Sequence, residues 1–166
     1  MRHPFRFKSE KSIEAILYIV QNIKRANIHR ISKIIYFADK AHLEKYGRFI
    51  CGDSYLAMKY GPVPRETCGI LNNTNGKNKA FCIKNKFWVK ALRTASTDYF
   101  SESDLECLDK SIKQYGHLSS HKLANLSYDL AWQAAHGNHL IDIEKIVATL
   151  ANADSLVDYL RDPCPE

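Results

Sequence analysis

The sequence predicts an α+β protein that is predominantly helical: a helical domain with a small antiparallel sheet or β-hairpin in its first half and further helices towards the C-terminus. Three observations carry that expectation. Apolar residues repeat at helical spacing through residues 13–43 and again through 105–115. Two short stretches, residues 55–60 and 81–89, show the alternation and turn formers of strands. The chain of 166 residues, 45% apolar and 25% charged, is long enough for one domain with a proper core. Residues 1–166 are therefore expected to form a single domain, a basic helix-and-sheet part over 1–93 and an acidic helical part over 94–166.

Ser9 is expected to cap the first helix, whose stripe of Ile13, Ile16, Leu17, Val20 and Ile23 ends near Arg25-Ala26-Asn27. Asn27 then caps a second helix. Ile28, Ile31, Ile34, Ile35, Ala38 and Ala41 make its stripe, and Tyr36, Phe37 and Leu43 widen it. A helix apolar on so many sides belongs at the centre of a fold. Tyr46-Gly47 ends it, with Gly47 as a left-handed cap. Tyr55 to Tyr60 alternates, with Leu56, Met58 and Tyr60 on one side of a half-buried strand. The run from Lys59 to Pro64 reads as a rigid corner joining that strand to a short helix over 65–71. Gly61 permits backbone angles barred to other residues, and Pro62 and Pro64 fix φ. Pro64 suits the first turn of the helix.

A polar loop over 72–79 leads to a β-hairpin in which residues 81–83 and 87–89 flank Lys84-Asn85-Lys86. Thr94 to Phe100 is a link. Ser101 and Asp104 form a capping box, and Leu105, Leu108, Ile112 and Tyr115 repeat helically up to Gly116. Leu118-Ser119-Ser120 begins a short helix containing Leu123 and Leu126. Trp132 is a core anchor whose N–H needs a partner. Asp142 caps a stretch through Leu150, a last helix runs over 154–160, and the tail from Asp162 is loose.

The net charge of +6 hides an asymmetry: residues 1–93 hold 19 Lys/Arg against 6 Asp/Glu, and residues 94–166 hold 5 against 12. Opposed halves favour an acidic partner or nucleic acid at the first half, or attract each other inside one fold. Helix, helix, strand, helix and hairpin in that order give a winged-helix-like arrangement, and Lys84, Lys86 and Lys90 on the hairpin suit a DNA-contacting wing. No Arg-rich recognition helix accompanies it, so DNA contact ranks second. The five cysteines are odd in number and scattered, with no Cys-x-x-Cys, as expected of free thiols in a reducing compartment. No apolar run spans a membrane and the start lacks a signal peptide's apolar core, so the cytoplasm is expected.

Motifs for chemistry are sparse. The 72–79 loop lacks the Gly-Lys-Ser/Thr of a phosphate loop, and no Gly-x-Ser-x-Gly elbow occurs. Asp39 and His42, three apart, can touch as a carboxylate–imidazole pair that fixes the helix end, but no nucleophile or third ligand completes a site. His117 with His121 and His136 with His139 have zinc-like spacing without further ligands.

One longer pattern is specific. The order IIYFADKAHLEKYGR followed by GDSYLAMKYGPVPRE resembles the signature of the Panacea domain, or SocA-like, family. The later FSESDLECLDKSIKQYGHLSSHKL and DLAW are similar to that family's C-terminal portion, so the resemblance covers most of residues 10–135. Members are typically antitoxins of bacterial and phage toxin–antitoxin pairs that neutralise unrelated toxins by direct binding, and some pass a partner to a protease as adaptors. The resemblance implies a binding protein and not an enzyme, without cofactor or metal, whose partner is a toxin encoded nearby. It carries over Asp39, His42, Tyr46, Asp53, Tyr55, Lys59, Tyr60, Gly61, Pro62 and Pro64 as partner-binding positions, with Gly47 and Gly52 beside them. Among these the glycines and prolines serve geometry, and Asp53, Lys59 and Tyr60 suit polar contacts.

Overall fold

The computed structural model describes residues 1–73, 79–135 and 137–162. The loop expected over 72–79, the tail with Cys164, and His136 of the second histidine pair fall largely or wholly outside them. Everything is arranged about one helix, α2 (Ile28–Tyr46), which touches α1 (Ser9–Asn22), strand β2 (Gly61–Pro64), α3 (Arg65–Asn72), α4 (Glu102–Tyr115), α5 (Ser120–Ser127) and α7 (Ile143–Val147). Ile31, Ile34, Tyr36, Ala38 and Leu43 of α2 are fully buried, so its breadth of apolar surface does place it centrally. Asn27 caps it through its side chain to the Arg30 N–H, worth about 1 kcal/mol. Gly47 closes it in the left-handed conformation.

The first helix starts one residue early. Lys8 N–H bonds the Cys51 carbonyl at 2.9 Å and holds Lys8 extended, so Lys8 takes the cap position and Ser9 is already helical. Lys8 makes no side-chain capping bond. The missing cap costs about 1 kcal/mol. Burial of Ile16, Leu17 and Ile19 contributes about 1.5–3 kcal/mol each and outweighs it. The helix stops at Asn22, before the expected Arg25, because the chain turns extended at Asn27 and residues 26–28 bond residues 87–89 at the start of β4 (Trp88–Ala91).

The largest departure from expectation lies at the proline-rich corner. Gly61–Pro64 is a second strand, antiparallel to β1 (Tyr55–Met58) across a tight Lys59-Tyr60 turn, with Met58 opposite Gly61 and Tyr55 opposite Pro64. Two prolines two apart lose their N–H groups on the same edge, so the other edge can still pair, as proline on a strand requires. Pro64 is the cap of α3 and not its first residue. The buried face of β1 is Tyr55 and Ala57; Leu56 and Met58 are half-buried and Tyr60 is exposed. Beyond its other edge, β1 bonds residues 138–141, through Ala57 N to His139 O at 2.9 Å and Ile141 N to Tyr55 O at 2.8 Å.

A second, separate hairpin joins β3 (Phe81–Lys84) to β4, with Asn85 and Lys86 at positive φ in the turn. A single 3₁₀ turn, Thr97–Tyr99, interrupts the link before α4. Both bonds of the Ser101/Asp104 capping box form. Ser119, Asp129 and Asp142 cap α5, α6 (Leu130–Ala134) and α7, and α8 (Ala153–Arg161) ends the described chain. With eight helices and two two-stranded antiparallel sheets among the described residues, the protein is predominantly helical α+β.

Candidate functional site

The motif residues on α2 fasten the loop that follows it. The Asp39 carboxylate accepts from Ile50 N–H at 2.7 Å and Tyr55 hydroxyl at 2.6 Å, all three buried. Burial lifts the Asp39 carboxyl to about 7, against the pull of the Tyr55 and Ile50 bonds. His42 turns elsewhere, with Nδ1 2.9 Å from the Arg48 carbonyl and Nε2 2.9 Å from Ser103 Oγ. The expected Asp39–His42 bond is thus replaced by two separate clasps on residues 48–50. Both serve the role expected of the pair, and neither side chain reaches solvent.

Beside His42 lies Asp104, fully buried, with Lys11 Nζ at 2.6 Å, Arg48 Nη2 at 3.0 Å and His42 Nε2 at 3.3 Å. Burial alone would raise this carboxyl; bonds from His42, Lys11 and the Ser101 N–H outweigh it and hold the group well below the usual carboxylate range. Lys11 and Arg48 come from the basic half of the chain and Asp104 from the acidic half. Lys40 with Asp129 at 2.9 Å and Lys45 with Glu106 repeat the pattern. Four of the 19 basic residues of the first half are thus paired with the acidic half within the fold.

Asp53 works as a remote helix cap. Its carboxylate accepts from Glu66 N–H at 3.0 Å, Thr67 N–H at 2.8 Å and Thr67 hydroxyl at 2.7 Å, the first turn of α3. Thr67 is bonded in turn to Ser12 of α1 at 2.8 Å.

The β1–β2 hairpin is anchored from beneath. Pro62 directs its carbonyl away from β1, and fully buried Lys33 of α2 donates to that oxygen at 2.8 Å. Burial lowers the Lys33 ammonium to about 7, partly countered by Cys68. Gly61 crosses close above: a Cβ there would meet Ser127 Oγ at 2.1 Å and Lys33 Nζ at 3.1 Å, and its φ is +108°. From the side, the Trp132 indole N–H bonds the Met58 carbonyl at 2.8 Å, the partner its burial called for. Tyr128 hydroxyl meets the Lys59 carbonyl at 3.3 Å. Asp129, besides capping α6, accepts from Tyr36 hydroxyl at 2.7 Å.

What this frame presents outward is a half-apolar surface. Tyr60 at the hairpin tip is 58% exposed, with Lys59 Nζ 5.3 Å from its ring centroid and His29 packed edge-on against it. Leu130, at the start of α6, is 72% exposed, and Leu140, bridged to Leu56 across the far edge of β1, is 51% exposed. Between hairpin and α6 runs a groove of about 570 Å³ lined by Met58, Lys59, Trp132, Gln133 and Asn138.

Of the ten positions singled out from sequence, Asp39, His42, Asp53, Tyr55, Gly61, Pro62 and Pro64 are buried and build the frame. Lys59 and Tyr60 are brought together on the surface. Tyr46 is exposed too, but it stands 13 residues along α2 from Lys33, about 20 Å at 1.5 Å per residue, with its hydroxyl bonded to Glu106. Leu130 and Leu140 escaped the sequence reading, and Met58 entered it only as a strand residue. An exposed leucine has no sequence mark of its own; only the need of Trp132 for an acceptor pointed towards this edge.

The family model described as antitoxin SocA-like, Panacea domain, matches residues 31–133, which is more than half of the chain. The chain belongs to that family, and an antitoxin-type role comes with it. The match begins within α2 and ends within α6, so it takes in the hairpin and most of α6, and the groove lining continues past it to Asn138. No curated protein and no solved structure matches the chain. Among the described residues no helix is long and apolar enough to cross a membrane.

Proposed function

We propose that this protein is an antitoxin that neutralises a cognate toxin protein by direct binding, and that the toxin seats on the surface made by the β1–β2 hairpin tip and α6. The observation that carries the reading is Tyr60: a large aromatic side chain, mostly in solvent, on a hairpin held by bonds from Lys33, Tyr128 and Trp132. Exposed aromatics on rigid supports are the side chains that dominate protein interfaces, because little ordering entropy is lost when they bind. Leu130 and Leu140 extend the apolar area, and Lys59 adds a charge at its rim. No reaction is required of the antitoxin. Covering the toxin's working surface suffices, and the buried polar groups keep the covering surface in shape.

The test is co-expression with the product of the neighbouring gene, paired with titration of the two purified proteins. Wild type is expected to rescue growth and to bind at a one-to-one ratio. Tyr60→Ala is expected to weaken binding by at least about thirtyfold, the loss of a hot-spot contact of roughly 2 kcal/mol or more. Unchanged affinity in Tyr60→Ala together with Leu130→Glu would remove this surface from consideration.

A further inference from the structure

Helices α1 and α4 end side by side, close enough that a Cβ on Gly116 would meet the Ile23 side chain at 2.9 Å. A pocket of about 500 Å³ opens there, lined on its polar side by Asn22, Lys24, Arg25, Arg30, Lys113 and His117, with no acidic residue. Arg30 is buried, and its guanidinium bonds only carbonyl oxygens: Lys24 at 2.6 Å, Arg25 at 3.1 Å, and Gly116. Its Nε has no acceptor.

The bland explanation is that these cations balance two helix C-termini. The magnitudes say otherwise. Two helix ends supply about one unit of negative charge between them, against four permanent cations, Lys24, Arg25, Arg30 and Lys113. No carboxylate among the described residues pairs with any of the four, whereas Lys11, Lys40, Lys45, Arg48 and Arg93 all have one. The pocket keeps a surplus of positive charge around a concave space.

The chain that lines this pocket continues into the second hairpin. After Arg25, residues 26–28 pair with residues 87–89 of that hairpin through Val89 N to Ala26 O and Ile28 N to Phe87 O, each at 3.0 Å. On that hairpin Lys84 stands opposite Trp88, with Lys90 two residues further, so the three share one face. All three are exposed, Trp88 at 40%, and Lys86 and Phe87 project at the turn. Lysines interleaved with an exposed ring suit a strand of phosphates and bases, because the cations track the backbone and the ring offers a stacking face.

We propose that the pocket between α1 and α4 is a phosphate site for single-stranded nucleic acid, whose next nucleotides run over the β3–β4 hairpin with a base stacked on Trp88. This is independent of toxin binding at the other hairpin. The test is fluorescence anisotropy of the full chain with a labelled oligothymidylate of about 16 nucleotides, at about 50 and 200 mM salt, with an oligoglutamate of equal charge as competitor. Binding is expected at low salt, weakening at high salt. Arg25→Asn with Lys113→Gln is expected to lower affinity at least tenfold. It should also flatten the slope of log K against log salt by about 1.4, roughly 0.7 per lost phosphate contact. Asn is chosen because it accepts the φ of 56° at position 25. Trp88→Ala should weaken binding by at least fivefold with the slope unchanged. Absence of binding at low salt, an unaltered slope in the double variant, or oligoglutamate displacing the oligonucleotide at equal concentration would each overturn the proposal.

Discussion

Lys33 Nζ and the Pro62 carbonyl oxygen meet at 2.8 Å in the interior, and this bond ties the central helix to the outermost hairpin. The position is costly for an ammonium, which explains its lowering to about 7. A lysine depressed below its unfolded value binds fewer protons when folded, so stability rises with pH from about 7 towards the unfolded value of about 10.4. Between pH 7 and 8.5 Lys33 should contribute a gain of roughly 1.5 kcal/mol in urea unfolding, at up to about 1.4 kcal/mol per unit, read as the difference between wild type and Lys33→Met. Asp39, raised to about 7, and the Cys51, Cys68 and Cys107 thiols, raised by burial, act with the opposite sign as pH rises, so the total change is smaller than the Lys33 part. An equal pH dependence in wild type and Lys33→Met would mean another group is responsible.

Asp53 should prove a matter of stability. Asp53→Ala strands three donors at the start of α3 and should cost about 2–4 kcal/mol, measured by denaturant midpoint. Asp53→Asn should cost less but not nothing, because its amide NH₂ faces N–H donors where a carboxylate oxygen accepts them. Toxin affinity per folded molecule should be unchanged in both. Altered affinity at full folding would return Asp53 to the interface.

The two kinds of motif residue were not separable from sequence for a physical reason. Asp39, His42, Asp53 and Tyr55 are polar, and polar residues in a family signature read as surface contacts until their backbone partners are known. Those partners, Ile50, Arg48 and Thr67, lie 6 to 14 residues away along the chain and leave no periodic mark. Helical repeats were legible because a stripe such as Ile31, Ile34, Ile35 and Ala38 is itself the packing surface. The second strand was hidden because two prolines argue against a strand unless one edge stays unpaired. That edge is visible only once Lys33 is seen to occupy it.

Leu130 offers a sharper probe of the toxin-binding surface than any motif position. It is the first residue of α6, its side chain is mostly in solvent, and the helix cap beside it is supplied by Asp129 alone. Leu130→Glu places a carboxylate in the first turn, where the helix dipole favours it, so the melting temperature should hold or rise slightly. Toxin binding should fall at least tenfold, since a charge would be desolvated at an apolar contact. Calorimetric titration beside a thermal melt separates the two effects.

Gly61 ties fold and surface together, and a double-mutant cycle can show it. Gly61→Ala meets two penalties. Its φ of +108° strains any side chain, and its Cβ would stand 2.1 Å from Ser127 Oγ. Ser127 Oγ is held there by its own bond to the Ala124 carbonyl at 2.8 Å, so it cannot simply swing away. Ser127→Ala alone should cost about 1 kcal/mol, one buried hydrogen bond. In the Gly61→Ala background the same change removes the colliding oxygen and should be neutral or stabilising. The expected coupling is therefore about 1 kcal/mol or more in favour of the double variant, well above the scatter of such cycles. Instability of the double variant beyond that of Ser127→Ala alone measures the φ strain together with crowding of the Lys33 side chain. Strict additivity would mean the hairpin rides up to avoid Ser127, and then Tyr60 should lose its fixed position and toxin binding with it.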